Sequence, residues 1–375
     1  MRGGAWLLAA VLIASCERTP PSRERTAGAG GRLETINGYL VLHIEGDPEA
    51  MGEQHGRLLK DKVKRVVADV IDSQTEYHPD LLRGAMKMEP FLPEDFRREL
   101  RALADAAEVA YEKIVALQLF GDVNRASFCT FFAAFDEATR TGEPIIGRNM
   151  DYDDYGVSEY GAVLIHFKPK NGLAFFTVSW AGVINGWTAM NEKGVVAANN
   201  TGYGTIENSM EGVSTCFMLR KVVQFADTVE KGIEIVKTTP RACGTILLIA
   251  GGHPPDAAAV EYDHKDLVVR RARGGVIVAD NDFGLLHQKE PRKPDPQGTY
   301  RYDVLWNLIE KDRGKIDRNM NLIGAEGVPI ESMNVHSALL FPRDLRFRVA
   351  MGKIPAFKQP YRKFHMTPKG IVSDE

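Results

Sequence analysis

Cysteine is scarce in this chain: 375 residues hold four, and none belongs to a Cys-x-x-Cys pair. That excludes the usual thiolate zinc sites and dithiol redox motifs. His-Glu-x-x-His is missing, and the nine histidines are scattered without metal-ligand spacing. There is no P-loop to cradle a nucleotide phosphate. Gly-x-Ser-x-Gly is absent as well, which argues against a serine hydrolase built on a nucleophile elbow. Asp151-x-Asp153-x-Tyr155-Gly156 hints at a calcium loop but lacks the third oxygen ligand and the closing glutamate. No metal and no organic cofactor is therefore expected. An excess of one charge is lacking too. The formal net charge is −3, and no basic face or arm suits nucleic acid. No internal repeat is visible. Beyond residue 16 no run is long and apolar enough to span a bilayer as a helix, so a soluble body is expected.

What is present starts with 44% hydrophobic residues, enough for a large core. The length allows about two domains, or one large α/β domain with a helical prefix. Residues 1–16 read as a signal peptide: Arg2 is the basic start, and Ala5–Ser15 is a short apolar stretch. Its end, Leu12-Ile13-Ala14-Ser15-Cys16, resembles a bacterial lipobox. Cys16 would then be lipidated, which predicts a lipid-anchored protein of the bacterial envelope or periplasm. An ordinary signal peptide or an uncleaved anchor are the other readings. Residues 17–32, rich in Pro, Gly, Ser, Thr and charge, read as a flexible tether. Once Cys16 is assigned to export, the remaining three cysteines leave room for one unpaired thiol. Cys216 and Cys243 are either a disulfide pair or two buried thiols.

Residues 33–45 alternate like a strand, and Asp47-Pro48 is a helix start: Asp caps and Pro sits in the first turn. The helix expected to about Ser73 carries Met51-Gly52-x-x-His55-Gly56. Residues 93–119 repeat apolar positions at helical spacing. Segment 33–128 is thus mostly helical. After Cys129 the texture changes to short strands at 163–167, 174–180, 187–190 and 195–199. A helical stretch at 214–238 follows. Strands return at 244–250, 257–262, 267–272 and 275–280, then a helix near 300–311. Val335–Phe341 and Arg346–Ala350 form a closing hairpin. Runs of strands separated by a few helices predict layered α+β packing.

The chemistry concentrates in Cys129-Thr130 and in Gly147-Arg148-Asn149-Met150-Asp151-Tyr152. A cysteine nucleophile works as its thiolate, and a free thiol has a pKa of about 8.5. It needs a base for its proton and donors for the oxyanion it creates. If Cys129 became a chain terminus, its own α-amine, with a pKa of about 7.7–8.0, would lie beside its sulfur. One residue would then supply both nucleophile and base. Arg148 would keep the thiolate charged, and the Asp151 carboxylate would orient the amine. Taken alone, an isolated Cys is a packing residue and an Arg–Asp pair a salt bridge.

Cys-Thr followed by Gly-Arg-Asn-hydrophobic-Asp-aromatic resembles the mature start of the acid ceramidases, and is similar to bile salt hydrolases and penicillin V acylases. The Asp47-Pro48, Met51-Gly52 and His55-Gly56 prefix resembles the isopenicillin-N acyltransferase branch of the same class, the N-terminal-nucleophile (Ntn) cysteine hydrolases. The similarity runs from about 35 to 365. It implies a four-layer αββα sandwich, with 33–128 as a helical propeptide or α chain and 129–375 as the catalytic β chain. It implies autocleavage between Phe128 and Cys129, and makes Cys129, Arg148 and Asp151 active-site residues. Trp187-Thr188-Ala189-Met190-Asn191-Glu192-Lys193-Gly194 looks like the class's Met-Asn-Glu-x-Gly hairpin, which leads to an oxyanion-hole Asn. By its six-residue offset from Gly194 that is Asn200, with Asn199 as the alternative. Asn281, in Ala279-Asp280-Asn281-Asp282-Phe283, resembles the Thr-Asn-His-Phe segment without its Thr and His. Arg301 falls where the class often has Ser-x-x-Arg, with Gly298 in place of Ser. His336 reads as a packed histidine rather than a base.

The function this implies is hydrolysis or transfer of an acyl group at a linear, non-peptide amide. The partner is a small N-acyl amide substrate. No nucleic acid is involved, and the membrane is met only through the anchor at Cys16. A phospholipase-B-like ester hydrolase and a catalytically silent envelope binding lipoprotein are the alternatives. Phe131, Phe132, Tyr152, Tyr155 and Trp187 are candidates for an acyl pocket or for core.

Overall fold

The computed structural model describes residues 26–27, 30–124, 127–204 and 206–375. Cys16, the signal sequence and most of the tether lie outside the described residues. In chain order the strands are β1 (Thr26–Ala27), β2 (Arg32–Ile36), β3 (Tyr39–Gly46), β4 (Phe128–Asp136), β5 (Gly142–Asp151) and β6 (Ala162–Pro169). There follow β7 (Phe175–Trp180), β8 (Thr188–Asn191), β9 (Val196–Thr201), β10 (Thr245–Gly252), β11 (Pro255–Tyr262) and β12 (Leu267–Arg271). The last are β13 (Val276–Ala279), β14 (Asn334–Phe341), β15 (Arg346–Met351), β16 (Arg362–Thr367) and β17 (Gly370–Ser373).

They form two sheets. The first has ten strands in the order β1-β2-β3-β6-β7-β8-β9-β10-β11-β12. The second has seven, in the order β13-β4-β5-β14-β15-β16-β17. Neighbours pair antiparallel except β3 and β6, which run parallel. Arg32, placed at the end of the expected tether, is already the first residue of β2.

Three apolar cores separate four layers. Leu42, Ile165 and Leu247 of the first sheet pack against Val63, Leu100, Phe120 and Phe217 from helices. Val41, Leu164 and Leu248 on its other face meet Ile146, Ala338 and Val349 of the second sheet. Phe132, Val278 and Leu339 on the far side of the second sheet pack on Leu305 and Ile309 of the helix Arg301–Lys311. Strands buried on both faces read as continuous apolar runs, which is why β4, β10 and β14 show little alternation. The chain is the αββα sandwich that its motifs imply.

The N-terminal helices build much of the layer that covers the first sheet, which the helices Thr215–Phe225 and Val229–Thr238 complete. Asp47 caps Pro48–Leu58, its carboxylate accepting Ala50 N–H at 2.9 Å. Gly52 and Gly56, one turn apart, face the helix Glu94–Ala107, and a Cβ on either would collide with its backbone. Those glycines let the two helices touch. His55 is fully buried and its Nε2 accepts Gly182 N–H at 2.9 Å. Burial pulls its pKa down to about 3, so it is neutral. The Met-Gly-x-x-His-Gly string is therefore a packing device. Glu99, from the same helical layer, forms a buried bidentate ion pair with Arg220 of Thr215–Phe225, at 2.6 and 3.0 Å. The Arg220 guanidinium also lies over Phe96 and Phe167, 4.5 and 4.7 Å from their ring centres. Among the described residues no helix is long and apolar enough to cross a membrane.

Candidate active site

The hairpin β4–β5 carries the centre. Its register pairs Cys129 with Met150, Phe131 with Arg148 and Phe128 with Asp151. Side chains on a strand alternate faces, so Cys129, Phe131, Arg148 and Met150 share one face and Asp151 takes the other. Arg148 is fully buried. Its Nη2 donates to Cys129 Sγ at 3.1 Å and to the Asn199 carbonyl at 2.6 Å. Its Nη1 donates to the Asn149 carbonyl. Met150 Sδ lies 3.7 Å from the same sulfur.

The backbone of Cys129 is held from the other side. Its N–H donates to Asn281 Oδ1 at 2.6 Å. Asn281 Nδ2 donates to the carbonyls of Ser127 at 3.1 Å and Thr201 at 2.7 Å, which fixes the amide orientation. Arg301, the first residue of its helix, donates from Nη2 to Asn281 Oδ1 at 2.9 Å. Its Nη1 reaches both the Cys129 carbonyl and Thr130 Oγ1 at 2.9 Å. In the continuous chain the Cys129 N–H is thus oriented by Asn281.

Asp151 is fully buried one step away. Its oxygens accept Asn334 Nδ2 at 2.8 Å and Ile330 N–H at 3.1 Å, and Arg301 Nη1 stands 3.7 Å off. Burial pushes its pKa up to about 6, against the pull of those hydrogen bonds and of Arg301 and Arg148. Asp151 therefore reaches Cys129 through Arg301.

The two asparagines expected for the oxyanion site, Asn200 and its alternative Asn199, are placed differently. Asn200 Nδ2 is engaged by the carbonyls of Asp280 at 2.7 Å and Ala279 at 3.4 Å, tying β9 to the second sheet. Asn199 lines a small cavity beside Cys129, and its Nδ2 makes a 3.9 Å contact with Cys216 Sγ. Tyr152 and Trp187 line the same cavity. Phe131 and Phe132 are core. His336 is buried, neutral and bonded to Thr188 Oγ1 at 2.8 Å, so it is packing. Cys216 and Cys243 are buried thiols. Sequence reasoning missed Asn334, Met150 and the Ser127–Thr201 hydroxyl contact at 2.5 Å. None of them carries a local spacing signal. Among the described residues, Asp263, Asp266 and His287 are the group with metal-compatible spacing. The Asp263 carboxylate is already occupied there by backbone N–H groups of Glu207, Lys265 and Asp266.

Residues 138–309 match the family model of acyl-coenzyme A:6-aminopenicillanic acid acyl-transferase. That stretch contains Arg148, Asp151, Asn199, Asn281 and Arg301, and begins after Cys129. A protein of Archaeoglobus fulgidus is 26% identical over 275 residues, covering 64% of this chain and 45% of that one. The N-acylethanolamine-hydrolyzing acid amidase of Rattus norvegicus is 21% identical over 259 residues, covering 67% of this chain and 66% of that one. A solved structure of a Caenorhabditis elegans ortholog of that amidase aligns with a TM-score of 0.47 at 16% identity, covering 57% of this chain and 93% of that one. The chain spans about half the length of the first curated relatives, 45% for the archaeal protein and 58% for Protein dcd1A of Dictyostelium discoideum. The matched stretch, residues 138–309, is thus similar to the acyl-coenzyme A:6-aminopenicillanic acid acyl-transferase family and lies within the layered αββα sandwich.

Proposed function

We propose that this protein is a self-processing cysteine amidohydrolase or acyltransferase acting on small N-acyl amides. The observation that carries the reading is Arg148 Nη2 at 3.1 Å from Cys129 Sγ, while the Cys129 N–H rests on Asn281 Oδ1 at 2.6 Å. The sulfur and the N–H of one residue are thus each held by a separate side chain in the uncut protein. The amidase names of the mammalian relatives support the amide as the bond attacked.

In the precursor, Cys129 Sγ attacks the Phe128 carbonyl carbon. The C–N bond breaks, the nitrogen takes up a proton, and Phe128 is left as a thioester on the sulfur. Water hydrolyses the thioester, which frees the sulfur beside the already liberated amine and leaves Phe128 as a carboxylate. In the processed protein the amine takes the thiol proton, and the thiolate attacks the substrate carbonyl. Asn199, whose amide is the less committed of the neighbouring pair, donates to the oxyanion. Such a donor is worth about 3–4 kcal/mol of transition-state stabilisation. The ammonium then protonates the leaving amine. Water or an acceptor amine resolves the acyl thioester. The lipobox at Cys16 supports an envelope location on a lipid anchor, which the mass of the mature N-terminus tests.

Mass spectrometry of the purified protein tests the core of the reading. Two fragments with a break before Cys129, and an unbroken, inactive Cys129→Ala chain, are expected. A wild-type chain intact through 128–129 whose amide cleavage survives Cys129→Ala would sink it. Intact chains with no turnover would leave the binding-protein alternative.

A further inference from the structure

One wall of the small cavity beside the nucleophile is Met150, whose Sδ is 3.7 Å from Cys129 Sγ. Another is Asn199, whose carbonyl shares the Arg148 Nη2 donor with that sulfur. The cavity measures about 30 Å³. Much of its remaining lining is apolar, including Leu117, Phe120 and Val183. Four of its residues nevertheless bury a polar atom that has no hydrogen-bond partner: Tyr152 OH, Trp180 Nε1, Asn185 Oδ1 and Asn199 Oδ1. All four side chains are more than nine-tenths buried.

Native interiors satisfy nearly all such atoms, because an unmatched one keeps the cost of its lost hydration. Four around one cavity next to a reactive sulfur therefore specify what enters it. Trp180 Nε1 is a donor only. Burial holds the Tyr152 hydroxyl protonated, so it too can donate. The Asn185 nitrogen faces the Gln118 carbonyl at 3.5 Å, which leaves its oxygen as an acceptor. Asn199 Oδ1 is the second acceptor. The matching group must accept and donate within the space of about two waters. A terminal carboxamide does both with two atoms. A plain alkyl chain satisfies none of the four.

We propose that this cavity is the acyl-recognition pocket, and that it takes a compact acyl group ending in a carboxamide rather than an unsubstituted hydrocarbon chain. This rests on the reading of Cys129 as nucleophile. The acyl part is the one that stays on Cys129 as thioester while the amine departs. A cavity walled by buried side chains suits the part that stays, and the chain at Phe128 is exposed to solvent.

The test uses the self-processed full chain and two 7-amino-4-methylcoumarin amides. One carries a succinamoyl group. The other carries 4-methylpentanoyl, which replaces the carboxamide by an isopropyl of the same shape. The succinamoyl amide is expected to show kcat/KM at least about tenfold higher, since a site built to hydrogen-bond rejects an analogue lacking the groups. Tyr152→Phe and Trp180→Phe should each shrink that ratio several-fold, for the same reason. Equal rates, or a preference for the alkyl group that the variants leave alone, overturn the proposal. A second arm needs no chemistry: succinamide and 4-methylpentanamide are titrated while the fluorescence of Trp180 and Trp187 is followed. Tighter binding of succinamide without turnover supports the pocket and removes the nucleophile reading. Turnover with no preference in either arm does the reverse.

Discussion

Arg148 and Cys129 are nineteen positions apart, yet the guanidinium of one donates to the sulfur of the other at 3.1 Å. The hairpin explains this. Arg148 lies opposite Phe131, two residues along β4 from Cys129 and on the same face, so the pair is a diagonal cross-strand neighbour. The guanidinium can bridge the sulfur and the Asn199 carbonyl because it offers several donors in a fixed plane.

Arg148→Lys keeps the charge and loses that bridge. Processing should slow by on the order of a hundredfold, the scale of one lost preorganised donor. The ratio of precursor to fragments over time on a denaturing gel reads this. Processing at the wild-type rate in Arg148→Lys would refute the bridging role.

The two neighbouring asparagines should separate cleanly. Asn199→Ala is expected to lower kcat by about 10²–10³ with KM little changed. Asn200→Ala removes donors to Asp280 and Ala279 that join the sheets, and should cost about 1–3 kcal/mol of stability. Steady-state kinetics and urea unfolding distinguish them. A kcat loss confined to Asn200→Ala would reverse the assignment.

Asp151 predicts a pH dependence. Its pKa is pushed up to about 6 by burial, and the charged form is the one that anchors Arg301. Processing should rise as pH passes through about 6, and Asp151→Asn should be slow and lack the inflection. Stability runs the other way. The folded state holds this proton to higher pH than the unfolded chain, whose carboxyl titrates near 4, about its free value. That contribution is full below about pH 4 and is lost as pH rises to about 6. Stopped-time processing assays across this range give the profile, and a flat one contradicts the prediction.

Glu99 and Arg220 lie on opposite sides of the proposed cut and are both fully buried. The fragments should stay together on a sizing column after processing. Glu99→Ala strands a buried guanidinium and should cost about 3–5 kcal/mol. Thermal unfolding of that variant measures the loss. Separation of the wild-type fragments without denaturant would contradict the prediction.

Much of the centre was legible because its signals are local. Cys129, Arg148 and Asp151 sit on one hairpin, and the helix start at Asp47-Pro48 follows from capping. Asn281 and Arg301 were placed by resemblance and are brought to Cys129 by the fold. The choice between Asn199 and Asn200 was not legible. β9 is buried on both faces, so Val196, Ala197 and Ala198 give no alternation to tell which side each asparagine takes. Asn334 joins Asp151 across the second sheet from 183 residues away, and no spacing rule reaches that far. β16 and β17 were missed because they are short, six and four residues, and β16 opens on the charged pair Arg362-Lys363. The Gly52 and Gly56 string was legible as a motif, but its purpose needed the helix it touches.

One pairing bears on how the molecule comes into being. β3, upstream of the proposed scissile bond, lies inside the larger sheet with its backbone laddered to β6, downstream of it. A gene encoding only 129–375 would therefore make a sheet with a raw, sticky margin along β6 and no helical cover over much of one face. The polypeptide has to be synthesised and folded as one piece before it can be divided. Co-expressing two separate halves would ask them to rebuild a shared ladder that ordinary translation supplies for nothing.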